Sequence, residues 1–167
     1  ATGLVEVVAA GRGDVGDGGG QRHPHAHDGV AGGRAVGTDP DDDAPQPPAT
    51  GFKAVTAPFR RPAADMAPTD SKASALYPNS ARATAWAKKQ GYDMAVVLDE
   101  AGNVAEFASA NIMMVKDGVV MTPAPNGTFL AGITRARIID LLRKSGREVR
   151  ECTVTTAMLD TADEIFA

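Results

Sequence analysis

From residue 51 onward, apolar and polar positions fall into short runs that switch between strand and helix periods. Residues 51–59 alternate weakly and stop at Arg60-Arg61-Pro62, the pattern of an edge strand. Residues 62–71 hold two prolines and two aspartates and read as a loop. Pro78 suits the first turn of a helix, where its missing N–H costs nothing. That helix is expected to run to about Gln90, with Ala81, Ala85 and Trp86 on one face. Lys88 and Lys89 complement the dipole at its end, and Gly91 stops it.

Shorter periods follow. Residues 94–98 form a nearly continuous apolar run, and residues 99–103 carry turn chemistry. Residues 104–107 and 111–115 are strand-like. Lys116-Asp117-Gly118 predicts a hairpin, because Asp-Gly tolerates positive φ, and residues 119–122 return. After a loop over 123–130, Gly132-Ile133-Thr134-Arg135 opens a helix with Ile138, Leu141 and Leu142 on its buried stripe and Gly146 at its end. A strand over 147–154, a short helix over 156–162 with a threonine cap, and the start of a strand over 163–166 complete the pattern. Strands and helices alternate, so the expected fold class is α/β, mixed with α+β features, over residues 51–167.

Composition sets the first 50 residues apart. They contain no Ile, Phe, Met, Tyr, Trp or Lys, but hold 11 of the 18 glycines. Three arginines face eight acids there, a balance of −5, against +1 for the remainder. Such a segment buries too little apolar surface to offset chain entropy, so it is expected to be disordered. The same bias is what a GC-rich gene read out of frame would give. His23, His25 and His27 alternate in this segment without an apolar scaffold, and residues 39–43 are an acidic run without EF-hand spacing, so no metal site is expected. The single Cys152 cannot form an intrachain disulfide. With no apolar run of membrane-spanning length and no basic-then-apolar leader, the expectation is a soluble cytoplasmic protein. A net charge of −4 gives no footprint for nucleic acid.

Chemistry concentrates between Lys72 and Thr134. Lys72 is the lone lysine between Lys53 and Lys88, and Tyr77 follows it by five residues. A lysine that attacks a carbonyl must be partly desolvated so that its free amine is available. Glu106 interrupts the apolar run Val104-Ala105-Glu106-Phe107-Ala108, and Asn111 follows five residues later. Leu130 precedes Gly132-Ile133-Thr134, a helix start whose unpaired N–H groups and dipole favour an anion.

This constellation resembles the class IV, fold-type-IV aminotransferases, and among them the branched-chain amino acid aminotransferases. The resemblance covers residues 51–166. It implies that Lys72 links covalently to pyridoxal 5′-phosphate and shuttles a proton between substrate Cα and cofactor C4′. It implies that Tyr77 hydrogen-bonds the cofactor's phenolic oxygen and that Glu106 faces the pyridine nitrogen. A carboxylate there keeps the nitrogen protonated and the ring an electron acceptor. Leu130 would lie beside the ring, and Gly132, Ile133 and Thr134 would seat the phosphate. Asn111 and Arg135 match family positions and are expected to be structural. Arg60 and Arg61 also match; they are expected to be an ordinary surface pair, with a role in cofactor or substrate binding as the alternative.

The implied reaction moves an amino group between a branched-chain L-amino acid and 2-oxoglutarate, in a homodimer. The alternatives in the same class are a D-amino acid aminotransferase and an aminodeoxychorismate lyase, against which Tyr77 argues. The alternative outside it is an inactive remnant or an interaction protein. Family members also carry a smaller N-terminal domain and a Thr-Gly segment beyond Ala162-Asp163-Glu164-Ile165-Phe166. The chain is therefore expected to be a fragment of the larger cofactor domain, truncated at its end.

Overall fold

The structure, a computed structural model, describes residues 4–7 and 51–167. In chain order its elements are β1 (Leu4–Val7), β2 (Phe52–Arg60), a 3-10 turn (Ser74–Leu76), α1 (Tyr77–Lys89), β3 (Met94–Leu98), β4 (Val104–Phe107), β5 (Met113–Lys116), β6 (Val119–Pro123), α2 (Ile133–Lys144), β7 (Val149–Cys152), α3 (Thr156–Asp160) and β8 (Glu164–Phe166). Apart from Leu4–Val7, the expectation of disorder over residues 1–50 lies outside the described residues, as do the histidine tract and the acidic run.

Two four-stranded sheets organise these elements, in the orders β1-β2-β3-β4 and β7-β6-β5-β8. Each sheet contains one parallel pair bridged by a helix. β2 and β3 are parallel and α1 connects them, while β6 and β7 are parallel and α2 connects them. Parallel neighbours need such a crossover, which the helical stretches supply. The mixed α/β class is therefore as expected.

Strand alternation distributes the core into three layers. Ala54, Val96, Val104 and Phe107 from the first sheet share one cluster with Met114 and Ile165 from the second, and Val154 and Leu159 join them. The opposite face of the first sheet, with Val55, Ala95 and Val97, packs on Ala83 and Ala87 of α1. On the second sheet, Met113 and Val120 pack on Ile139 of α2. The order is thus helix, sheet, sheet, helix.

The hairpin at Asp117-Gly118 closes as its sequence predicts, with φ of 50° and 77° and Lys116 paired to Val119. Three local expectations fail. β2 is not an edge strand, since β1 pairs with it on one side and β3 on the other. α1 buries Ala83 and Ala87, whereas Ala81 and Ala85 are exposed. In an alanine-rich helix several stripes are equally apolar, so periodicity does not select the buried one. In α2, Ile138 and Leu142 pack against the core as expected, but the buried positions are Arg135 and Ile139, and Leu141 is half exposed.

The approach to α2 is fixed by a side chain from the loop after β4. The Asn111 Nδ2 donates to the Leu130 carbonyl at 2.9 Å. Beside it sits Gly132, where an added Cβ would stand 2.8 Å from the Asn111 Oδ1. Glycine is required here for space. Gly132→Ala is expected to lose about 1–3 kcal/mol by displacing Asn111 from its part-buried acceptor. Urea unfolding checks this, and in an Asn111→Ala background the same substitution should cost much less.

Candidate active site

One cleft of about 630 Å³ opens between the loop after β2, α1, β4 and the loop before α2. Lys72, Tyr77, Glu106 and Leu130 all line it. Four positions singled out by spacing along the chain are thus brought into one concavity, of a size ordinary for small-molecule sites.

The loop carrying Lys72 is held against the loop carrying Leu130. The Thr69 hydroxyl, itself buried, donates to the Gly127 carbonyl. The Arg61 Nε donates to the Thr128 carbonyl at 2.9 Å. Behind them, Asn126 donates from Nδ2 to the buried Asp99 carboxylate at 3.0 Å, and its Oδ1 accepts from Thr128 N at 3.1 Å. These bonds hold the two loops that border the cleft.

Glu106 provides the buried charge. It lies on β4 opposite Val97 and is 9% exposed. Burial raises its carboxyl from 4.5 to about 7 even though the neighbouring Arg61 guanidinium pulls it downward. The Arg61 Nε stands 3.2 Å from the Glu106 Oε1, with the arginine side chain 5% exposed. Arg61 is therefore no surface residue, contrary to expectation. Arg60 ends β2 and Arg61 is the first residue beyond it, and the pair is split. The Arg60 Nη1 donates to the carbonyls of Asp99 and Glu100 at 3.0 and 2.9 Å, while Arg61 enters the cleft wall.

Lys72 lines the cleft with an exposed side chain, and Tyr77, the first residue of α1, is 55% exposed. The desolvation expected of the lysine is not present in this chain by itself. Gly132, Ile133 and Thr134 are not in the cleft lining, and Ile133 is 90% exposed. Gly132 is the N-cap of α2, with extended backbone, and its carbonyl accepts from Ala136 N at 3.0 Å. The N–H groups of the first turn precede the ladder and remain available for an anion. Arg135 is structural, as expected. Its Nη2 donates to the Pro123 carbonyl at 2.8 Å and pairs with Glu151 at 2.9 Å, which fastens α2 to β6 and β7.

The spacing of residues did not reveal Arg61, Ser71, Ser80, Thr84 or Ser109 as cleft residues. For Ser80 and Thr84 a signal existed, because they repeat every four residues from Leu76 and so share a helix face.

Among the described residues no group of His, Cys, Asp and Glu is placed to hold a metal, and no helix is long and apolar enough to cross a membrane.

Known proteins resemble this chain in both sequence and fold. The family model for amino-transferase class IV matches residues 21–167, further back than the resemblance read from residue 51. A probable branched-chain-amino-acid aminotransferase of Aquifex aeolicus is 40% identical over 117 residues, covering 70% of this chain and 38% of that protein. An aminotransferase from Brucella abortus, solved bound to pyridoxal phosphate, superposes with a TM-score of 0.69 at 49% identity, over 73% of this chain and 43% of its own. The branched-chain aminotransferase of Thermoproteus uzoniensis, solved with norvaline, gives 0.67 at 37% identity, over 70% and 39%. The chain spans about two fifths of the length of the curated relatives it matches. By the extent of the family match, the chain belongs to the class IV aminotransferases.

Proposed function

We propose that this chain holds pyridoxal 5′-phosphate and contributes the cofactor half of a branched-chain aminotransferase site. The observation that carries the reading is that Lys72, Tyr77, Glu106 and Leu130 share one cleft. The residues fit the group: an amine at the mouth, a phenol at a helix start, a buried carboxylate on the wall and an apolar side chain beside it. When bound, the cofactor supplies a carbonyl that links to amines and a ring that accepts an electron pair.

Each residue then has a defined task. Lys72 anchors the cofactor, and its freed amine carries the proton between substrate Cα and cofactor C4′. Glu106, as a carboxylate, accepts a hydrogen bond from the protonated pyridine nitrogen and so keeps the proton on it. Tyr77 donates to the phenolic oxygen. Leu130 fixes the ring plane by contact. The free N–H groups of Ile133 and Thr134, with the Thr134 hydroxyl, seat the phosphate at the positive end of α2. The amino donor is a branched-chain L-amino acid and the acceptor 2-oxoglutarate, in the cytoplasm, with a second copy completing a homodimer.

A second reading is a chain that binds the cofactor without turnover. It is favoured by the exposure of Lys72 and Tyr77, which leaves both wetter than proton transfer requires.

Adding pyridoxal phosphate to the full chain should produce a visible absorbance band from covalently held cofactor. Lys72→Ala should abolish that band while changing stability by less than about 0.5 kcal/mol, because the side chain is exposed. A band that persists in Lys72→Ala would mean another lysine is used. Half-reactions with L-leucine, D-alanine and aminodeoxychorismate then separate the three activities, and a band without any half-reaction supports the second reading.

Glu106 also predicts a pH dependence. Its native carboxyl titrates near 7 and its unfolded one near 4.5, so between these values the native state binds the proton more tightly. Stability of the cofactor-free chain should therefore fall as pH rises from 4.5 to 7. Urea unfolding across that window should show the fall in the wild type and a flatter profile in Glu106→Gln.

A further inference from the structure

We propose that Arg61 is the positioning residue for Glu106, drawing its carboxyl toward the ionised form and aiming it into the cleft while tying it to the loop that carries Leu130. The inference rests on the cofactor reading above and extends it to a residue that contacts none of the reacting atoms.

The geometry is that of a clamp. The Arg61 Nε–H is directed at the Thr128 carbonyl at 2.9 Å, and the same nitrogen stands 3.2 Å from the Glu106 Oε1. Arg61, Thr128 and Glu106 are all buried. The guanidinium thus sits between the end of β2, the middle of β4 and the loop before α2, two residues ahead of Leu130. An arginine suits this place because it stays charged when buried and its fork is rigid, and a lysine would not reproduce both contacts.

Function requires the clamp for a simple reason. A protonated, neutral Glu106 could not hold a proton on a pyridine nitrogen, and burial drives the carboxyl toward that neutral form. Lys72, Tyr77 and Lys88 open on the same cleft, but Arg61 is the group within ion-pair distance of Glu106 among the described residues. Its charge opposes the burial. Its bond to the Thr128 carbonyl meanwhile fixes where Leu130 meets the ring, so charge and packing are set by one side chain.

The test uses the full chain without cofactor, followed by carboxyl and arginine Nε–H NMR. In the wild type the Arg61 Nε–H signal should move with the same midpoint as the Glu106 carboxyl. Arg61→Gln should raise the Glu106 midpoint by about one pH unit or more, and Arg61→Lys should leave it nearer the wild-type value. A midpoint that moves equally in both variants, or in neither, overturns the proposal. If Arg61→Gln does not fold, the wild-type measurement decides, and unlinked titrations overturn the proposal. With pyridoxal phosphate added, Arg61→Gln should bind at least about tenfold more weakly, as expected for a lost contact to a charged group. Failure of the wild type to bind cofactor would count against the proposed function, whereas the cofactor-free titrations judge Arg61 separately.

Discussion

A carboxylate inside a β-sheet needs either a proton or a counter-charge, and much of this molecule's architecture answers that need for Glu106. The strand bearing it is buried along its whole length. A neutral residue would pack there at lower cost, since removing a charge from water is expensive even when a partner waits. The arrangement around it is correspondingly specific. β2 ends where Arg61 can turn inward, and the loop before α2 offers a carbonyl to the Nε–H of the same arginine. The polar chemistry is thus assembled where the first sheet meets the crossover to the second.

Around that pair, polar side chains bind loops to loops while apolar ones bind sheets to sheets. The inter-sheet core of Phe107, Ile112 and Met114 fixes β4 against β5. Thr69, Arg61, Asn111 and Asn126 each use a side chain to hold a backbone carbonyl or a carboxylate in a neighbouring segment. Loops without ladders must satisfy their backbone groups this way. The consequence is a cleft whose wall is rigid at Glu106 and Leu130, and whose rim is open at Lys72 and Tyr77.

The sequence was legible wherever a residue's chemistry and its period agreed. Asp117-Gly118 marked a two-residue turn, Gly91 and Gly146 marked helix ends at positive φ, and the apolar run at 94–98 marked a buried strand. Lys72, Tyr77, Glu106 and Leu130 were legible as a set because their types and spacing matched a family. Legibility failed where position depends on distant chain. Nothing near residue 52 signals that Leu4–Val7 pairs beside it. Alanine offers no contrast between the faces of α1, so its buried stripe was misjudged. Arg61 was hidden by its neighbour: two adjacent arginines look like a solvated pair, yet at the end of β2 the chain sends them to different partners.

Exposure explains how the site can be both well formed and open. Glu106 and Arg61 need only the strands and loops described here to be buried, so their geometry is complete within this chain. Lys72 and Tyr77 line the same cleft but are exposed to water. Desolvating a lysine amine demands apolar cover on its solvent side, and neither the two sheets nor the two long helices provide it. The Glu106 wall of the cleft is therefore built by this fold alone. The rim at Lys72 is left open to water, so a rigid wall and a solvated rim are separable properties of the same cleft.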